Sequence, residues 1–204
     1  SAQYTPIDEK HPYVGQSPYS ASKIAADQIA LSYYKSFKLP LTIVRPFNTY
    51  GPRQSLRAII PTITSQLLSK SKTVSIGNLN TVRDLTYVTD TCEAFLSIMK
   101  SKKTDGKILN IGSGQGISIE ELYHLICKTS KITKKITIDK KRIRPSNSEV
   151  NQLVCNFNNL KKITKWTPKI SLKEGVKQYI KNFKKIEKYE NKNYYVEKSN
   201  KYNV

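Results

Sequence analysis

The 204-residue sequence has no apolar run near the roughly 20 residues that a membrane-spanning helix needs. Its first 20 residues are polar and hold no apolar core of a secretory signal, so we expect a cytoplasmic protein with no membrane partner. The three cysteines are too few and too scattered for a disulfide framework or a zinc site, which favours a reducing compartment and no metal. The apolar fraction of 38% still suffices for a core, so we do not expect global disorder.

Acidic residues are scarce, since 15 Asp and Glu stand against 35 Lys and Arg, a formal net charge of +20. Such an excess invites a nucleic-acid-binding interpretation. Most of the excess is lysine, however, the acidic residues are interspersed with it, and no recognition motif surrounds the few arginines. We therefore interpret the charge as a solvated lysine surface and expect no nucleic acid partner.

Apolar periodicity predicts alternating helices and buried strands, which indicates an α/β fold with a parallel sheet. A helix is expected from Pro18 to about Phe37, and short β-branched runs at 39–44 and 107–111 are typical of buried strands. Further helices are predicted at 58–68, 89–99 (capped by Thr89 or Asp90), 118–129, 156–163 and 171–188, and further strands at 73–76, 83–88 and 135–138.

The sharpest chemical signal is a tyrosine and a lysine four residues apart, Tyr19 and Lys23, which fall on one face of the first predicted helix. A free phenol has a pKa of about 10 and is a poor base at neutral pH, but a cation held nearby can lower such a pKa by about 1–3 units. The pair could then move a proton on or off a substrate hydroxyl, as hydride chemistry on an alcohol requires. Taken alone, this spacing also fits a surface tyrosine beside a solvated lysine.

A set of segments in order along the chain resembles the extended short-chain dehydrogenase/reductase family. The segments are SPYSASKIAAD, TIVRPFNTYGPRQ, VRDLTYVTDTCEAF, LNIGSGQGISIEEL, RIRPSNSEV and KITKWTPKISLKEGV, and the resemblance extends over residues 1 to about 188. Within that family the sequence is similar to the NAD-dependent nucleotide-sugar epimerases and 4,6-dehydratases. It is most similar to bacterial 4,6-dehydratases acting on nucleotide-linked N-acetylglucosamine, the branch that feeds legionaminic-type sugars.

The resemblance implies a fold and a domain organisation. The fold would be the carboxyl-terminal part of a Rossmann-type doubly wound parallel sheet plus a smaller helical substrate lobe. The domains would be the remainder of the NAD-binding domain (1–56 and 77–116), the substrate-binding lobe (57–76 and 117–189) and a disordered tail (190–204).

The glycine-rich fingerprint that holds the dinucleotide diphosphate in this family has no match in the sequence. The run Gly112-Ser-Gly114-Gln-Gly116 lacks its spacing, and we interpret it as a turn. The polar, turn-rich opening at Ser1 resembles the middle of a protein. We therefore expect that an amino-terminal part is missing and that this chain alone is inactive.

The resemblance also implies roles for individual residues. Tyr19 would be the catalytic base, and Lys23 would hold the nicotinamide ribose and tune the tyrosine. Contacts with the cofactor, NAD, are assigned to Tyr19, Lys23, Pro46, Phe47 and Thr49. Contacts with a nucleotide-diphosphate sugar are assigned to Asn48, Arg57, Ala58, Ile59, Ile60, Val74, Ile76, Arg83, Asn110 and Arg144. The planar guanidinium of arginine suits a diphosphate, because it offers paired donors to phosphate oxygens.

The implied function is an NAD-dependent nucleotide-sugar 4,6-dehydratase, which transfers hydride at C4 and eliminates water across C5–C6. A 4-epimerase would use Tyr19 and Lys23 in the same way, and a sugar-nucleotide-binding module without catalysis is a further alternative. Family members commonly pair through the helix that bears the tyrosine and lysine, so the resemblance implies a homodimer in the intact enzyme.

Overall fold

The structure, a computed structural model, describes residues 2–143 and 149–189. Its helices are α1 (Pro18–Phe37), α2 (Ile59–Leu68), α3 (Val88–Met99), α4 (Ile119–Ser130), α5 (Asn158–Thr164) and α6 (Leu172–Tyr189). Its strands are β1 (Ile43–Pro46), β2 (Asn48–Tyr50), β3 (Thr73–Ile76), β4 (Val82–Tyr87), β5 (Ile108–Ile111), β6 (Gly116–Ser118), β7 (Lys135–Ile138) and β8 (Gln152–Leu153). The predicted tail at 190–204 lies outside the described residues.

The strands of the described residues form three small sheets. β1 lies parallel to β5, and β3 lies parallel to β7. In the third sheet β4 has β2 and β6 as neighbours, is antiparallel to β6, and also pairs in parallel with β8. The predicted α/β fold with parallel strands is therefore confirmed.

The chain divides into two units. Among the described residues, the first contains 2–49, 80–118 and 149–169, and the second contains 50–79, 119–143 and 170–189. The domain boundaries taken from the family resemblance stay a prediction.

The core of the first unit lies on one face of the β1–β5 pair. It includes buried side chains from α3, β5, α5 and the turn after α5: Ala94, Ile98, Leu109, Ile111, Leu160 and Trp166. Val44 of β1 packs against this core, whereas the next residue, Arg45, pairs with Asp27 of α1. Because successive strand residues point to opposite faces, α1 and α3 cover opposite faces of β1.

The second unit has its own core, in which α2 packs on β3 and on α4, and α4 packs on α6. The buried apolar side chains that these elements contribute include Ile60, Ile63, Leu67, Val74, Ile76, Leu122, Ile126, Val176, Tyr179 and Ile180. Within residues 2–143 and 149–189, every helix falls short of the length and apolarity that crossing a membrane requires.

Candidate active site

The start of α1 presents the tyrosine–lysine pair, and a capping box fixes that start. The Ser17 hydroxyl accepts a hydrogen bond from the backbone N–H of Ser20 (3.1 Å), and the Ser20 hydroxyl accepts one from the backbone N–H of Ser17 (2.9 Å). Pro18 occupies the first helical position, where a missing N–H costs nothing. The helix start was predicted from Ser17-Pro18, but the role of Ser20 was not, since a capping box ordinarily has Glu or Gln at that position.

Tyr19 and Lys23 lie on the same side of α1. The Lys23 Nζ atom is 5.6 Å from the centroid of the Tyr19 ring. The Tyr19 side chain is 72% exposed, and Lys23 is exposed as well. The phenol and the ammonium group are therefore both open to a ligand, with the positive charge beside the ring.

An ion pair ties α1 to β1 on this face. Both Nε and Nη2 of Arg45 lie 2.8 Å from Asp27 Oδ2, and Arg45 also donates to the hydroxyl of Tyr13. Asp27 follows Lys23 by one helical turn, and Arg45 immediately precedes the cofactor candidate Pro46. The ion pair thus joins the helix face carrying the tyrosine–lysine pair to the strand that leads into the candidate cofactor segment.

The candidate cofactor segment, residues 46–49, lies at the carboxyl end of β1. The Phe47 backbone N–H donates to the Ile111 carbonyl at 2.8 Å, which places the segment beside the end of β5. Pro46 and Asn48 are exposed, and the Thr49 hydroxyl is 3.0 Å from that of Thr91. The carboxyl ends of parallel strands are where ligands bind in open α/β sheets.

Asn110, near the end of β5, is 1% exposed and forms hydrogen bonds with the segment that precedes α1. Its Nδ2 donates to the Ile7 carbonyl (3.1 Å), and its backbone N–H donates to Glu9 Oε1 (2.9 Å). Glu9 Oε2 also accepts a bond from Asn159 Nδ2 (2.6 Å). Asn110 therefore anchors the segment that precedes α1, and its predicted contact with the nucleotide stays a prediction.

Arg83 on β4 has a largely buried guanidinium. Its Nη1 donates to the carbonyls of Val82 (2.9 Å) and Val150 (2.8 Å), and its Nη2 is 3.5 Å from Glu149 Oε1. The side chains of Arg83 and Glu149 are 15% and 13% exposed. The sequence analysis missed Glu149, although an acidic residue inside the RIRPSNSEV segment was the available signal.

A buried carboxylate organises the glycine turn after β5. Asp84 is fully buried; its Oδ1 accepts from the N–H (2.8 Å) and hydroxyl (2.6 Å) of Ser113, and its Oδ2 accepts from the N–H groups of Gly114 (2.8 Å) and Cys155 (3.0 Å). A Cβ at Gly112 would lie 2.2 Å from the Cβ of Cys155, so this position requires glycine. The N–H groups that a phosphate loop would offer to its ligand are bonded to Asp84 instead.

The second unit holds the remaining candidates that the structure describes. Arg57 is exposed, while Ala58 and Ile59 are half-buried at the start of α2. The side chains of Ile60, Val74 and Ile76 are at most 1% exposed and belong to the core. Any contact of those three with a nucleotide would have to use the main chain. Arg144 lies outside the described residues.

The fold is a Rossmann-like α/β scaffold of the short-chain dehydrogenase/reductase type, and an exposed tyrosine–lysine pair lies on the helix preceding β1. The family model for GDP-mannose 4,6 dehydratase matches residues 1–179. The chain therefore belongs to this family of nucleotide-sugar enzymes, as the resemblance implied.

Known nucleotide-sugar enzymes are similar to the chain in sequence and in structure. The chain is 34% identical to human dTDP-D-glucose 4,6-dehydratase over 196 residues, covering 89% of the chain and 54% of the human protein. It superposes on dTDP-glucose 4,6-dehydratase from Bacillus anthracis, solved with NAD, with a TM-score of 0.83 and 29% identity, over 93% of the chain and 59% of that structure. A UDP-glucose 4-epimerase from Thermotoga maritima, solved with UDP-glucose, gives a TM-score of 0.73 and 26% identity, over 82% and 53%.

The chain thus spans about half the length of the curated relatives it matches.

Proposed function

We propose that this chain is part of an NAD-dependent nucleotide-sugar 4,6-dehydratase. The observation that carries the proposal is the exposed Tyr19 phenol with the Lys23 ammonium beside it, in a chain of this family. The dTDP-glucose 4,6-dehydratases among its relatives support dehydration as the reaction. Its specificity for an N-acetylglucosamine nucleotide and its cytoplasmic location stay predictions.

A 4-epimerase is the second candidate, supported by the likeness to the Thermotoga maritima enzyme. The two reactions share their first step, in which the C4 hydroxyl loses a proton and C4 loses a hydride. The product separates them, since a dehydratase forms a 4-keto-6-deoxy sugar and an epimerase inverts C4.

The phenol oxygen of Tyr19 would take the proton of the C4 hydroxyl. The positive charge of Lys23 stabilises the negative charge that the phenol oxygen carries when it acts as a base. In the dehydratase, water leaves across C5–C6 as the C5 proton and the C6 hydroxyl. We assign no residue of this chain to the acid that assists this elimination.

The residues at the end of β1 and the start of α1 fit the nicotinamide part of NAD. Lys23 offers an ammonium group to the ribose hydroxyls, and the exposed Pro46 is the last residue of β1, at the carboxyl end of the strand. Bound NAD would supply the hydride acceptor and donor, with hydride leaving C4 and returning to C6 or to the other face of C4. We propose that its diphosphate is held by a dinucleotide-binding half outside this chain.

Arg83 is the proposed contact with the diphosphate of the substrate. We expect Arg83→Ala to weaken binding of uridine diphosphate to this chain by at least about tenfold, because a charge-assisted pair of hydrogen bonds is lost. Isothermal titration calorimetry at constant ionic strength measures the change.

The matched control is Arg53→Ala, which removes the same charge from an exposed arginine and should leave the affinity unchanged. Equal losses in the two variants would mean that the nucleotide responds to the net charge of +20 rather than to Arg83. That result would remove the assigned binding role.

We also propose a homodimer that pairs through α1. Ile29, Tyr33 and Phe37 recur every four residues on one helix face and are 60%, 51% and 73% exposed. Replacing Ile29 and Phe37 together by glutamate should shift the chain from dimer to monomer in sedimentation velocity, because two charges would be buried in the interface. Gln28→Glu, on another side of the helix, should leave the dimer intact; a monomeric parent chain would refute the pairing.

A further inference from the structure

The carboxylate of Glu149 already occupies the neighbourhood in which the proposed diphosphate contact would form. Its Oε1 lies 3.5 Å from Nη2 of Arg83 and accepts the backbone N–H of Val150 at 3.1 Å. On the other side of the guanidinium, Nη1 is committed to the carbonyls of Val82 and Val150. An anion that binds at Nη2 of Arg83 therefore approaches the carboxylate of Glu149 as well.

The local environment strengthens the interaction between these charges. The side chains of both Arg83 and Glu149 are more than four-fifths buried. Charges that are shielded from water are screened less by solvent and salt than exposed charges are. A second anion beside Arg83 would meet a strong attraction to the guanidinium and a strong repulsion from Glu149.

We propose that Glu149 is an internal counter-ion that lowers and sets the affinity of Arg83 for the diphosphate of the substrate. The inference rests on the proposed role of Arg83 in binding. Glu149 keeps the buried guanidinium paired while no ligand is bound, which avoids an uncompensated charge. A diphosphate must share or replace this pairing, so its net gain is smaller than Arg83 alone would provide.

The test uses inorganic pyrophosphate, which has the two phosphates but neither ribose nor base. Glu149→Gln removes the charge and keeps an oxygen that can accept the Val150 N–H. We expect it to bind pyrophosphate at least about fivefold more tightly than the parent chain in calorimetry, because the repulsion is gone. The gain should shrink as salt is added, since it is electrostatic.

Glu149→Asp is the matched control, because it retains the charge and should stay within about twofold of the parent. Glu149→Met provides a second uncharged side chain of similar length, should the glutamine variant fail to fold by thermal melting. The counter-ion role would be overturned if a folded uncharged variant bound pyrophosphate no more tightly than the parent chain. If Arg83→Ala still weakened binding in the same experiment, the role of Arg83 would stand.

Failure of the underlying proposal has a different signature. If Arg83→Ala leaves pyrophosphate affinity unchanged in both the parent and the Glu149→Gln background, the anion binds elsewhere. The diphosphate role of Arg83 and the counter-ion role of Glu149 would then both be refuted.

Discussion

Replacing Tyr19 by phenylalanine should lower turnover by about 10²- to 10⁴-fold in an active, longer form of the protein that also contains a dinucleotide-binding half. The phenylalanine ring keeps the shape of the side chain and removes the oxygen that takes the C4 proton. Binding of the sugar nucleotide should change little, because Tyr19 is 72% exposed and packs in no core. The rate is measured by reduction of the nicotinamide in a single turnover, and the affinity by calorimetry.

Tyr33→Phe provides the control for this experiment, since it removes a hydroxyl from another exposed tyrosine of the same helix. Its rate should equal that of the parent. Lys23→Ala should lower both the rate and the affinity for NAD, because the lysine is assigned to the nicotinamide ribose as well as to the phenol of Tyr19. An unimpaired rate for Tyr19→Phe would refute the proton-transfer mechanism, whatever the product of the parent enzyme.

Elements with strong local patterns could be predicted from the sequence. The strands at 73–76 and 135–138 have the predicted bounds, and α1 begins at the predicted Pro18 and ends at Phe37. The strand predicted at 39–44 begins later, at Ile43, and residues 48–50 form β2, where no strand was predicted. Strands of two to three residues, such as β2, β6 and β8, exist through pairing with distant segments, which a local pattern does not contain.

The predicted cap of α3 was wrong for a related reason. Tyr87 is the residue at the N-cap, and Asp90 lies in the first turn. Asp90 is buried, and its Oδ2 accepts the backbone N–H of Lys169 at 3.0 Å. A short acidic residue at a helix start suits a cap, but here a partner 79 residues away determines its role.

The candidate site shows the same division between local and distant information. The shared helix side of Tyr19 and Lys23 follows from their spacing alone and is present in the structure. Val150, which accepts a hydrogen bond from Arg83, is 67 residues away in the sequence, and the partners of Asp84 are 29 to 71 residues away. These hydrogen bonds depend on how β4, β6 and β8 come together. Neither the pairing of Arg83 with Glu149 nor the set of donors around Asp84 could therefore be derived from spacing in the sequence.

Asp84→Asn should lower the free energy of unfolding of this chain by about 3 kcal/mol, the largest effect on stability that we expect. Asparagine has the shape of aspartate, but one carboxylate oxygen becomes an NH₂ group that cannot accept a hydrogen bond. The remaining oxygen can serve either the two Ser113 donors or the N–H groups of Gly114 and Cys155. At least two donors therefore lose their acceptor and face another donor.

Urea denaturation followed by far-ultraviolet circular dichroism measures this loss, with Asp105→Asn as the matched control. Asp105 is exposed, so the same substitution there should change stability by no more than about 0.5 kcal/mol. If Asp84→Asn does not fold, Ser113→Ala provides a milder test. It removes the hydroxyl that donates to Asp84 and should lower the free energy of unfolding by about 1 kcal/mol. A stability of Asp84→Asn equal to that of Asp105→Asn would show that the carboxylate does not hold the turn, and the glycine run would then be available to another ligand.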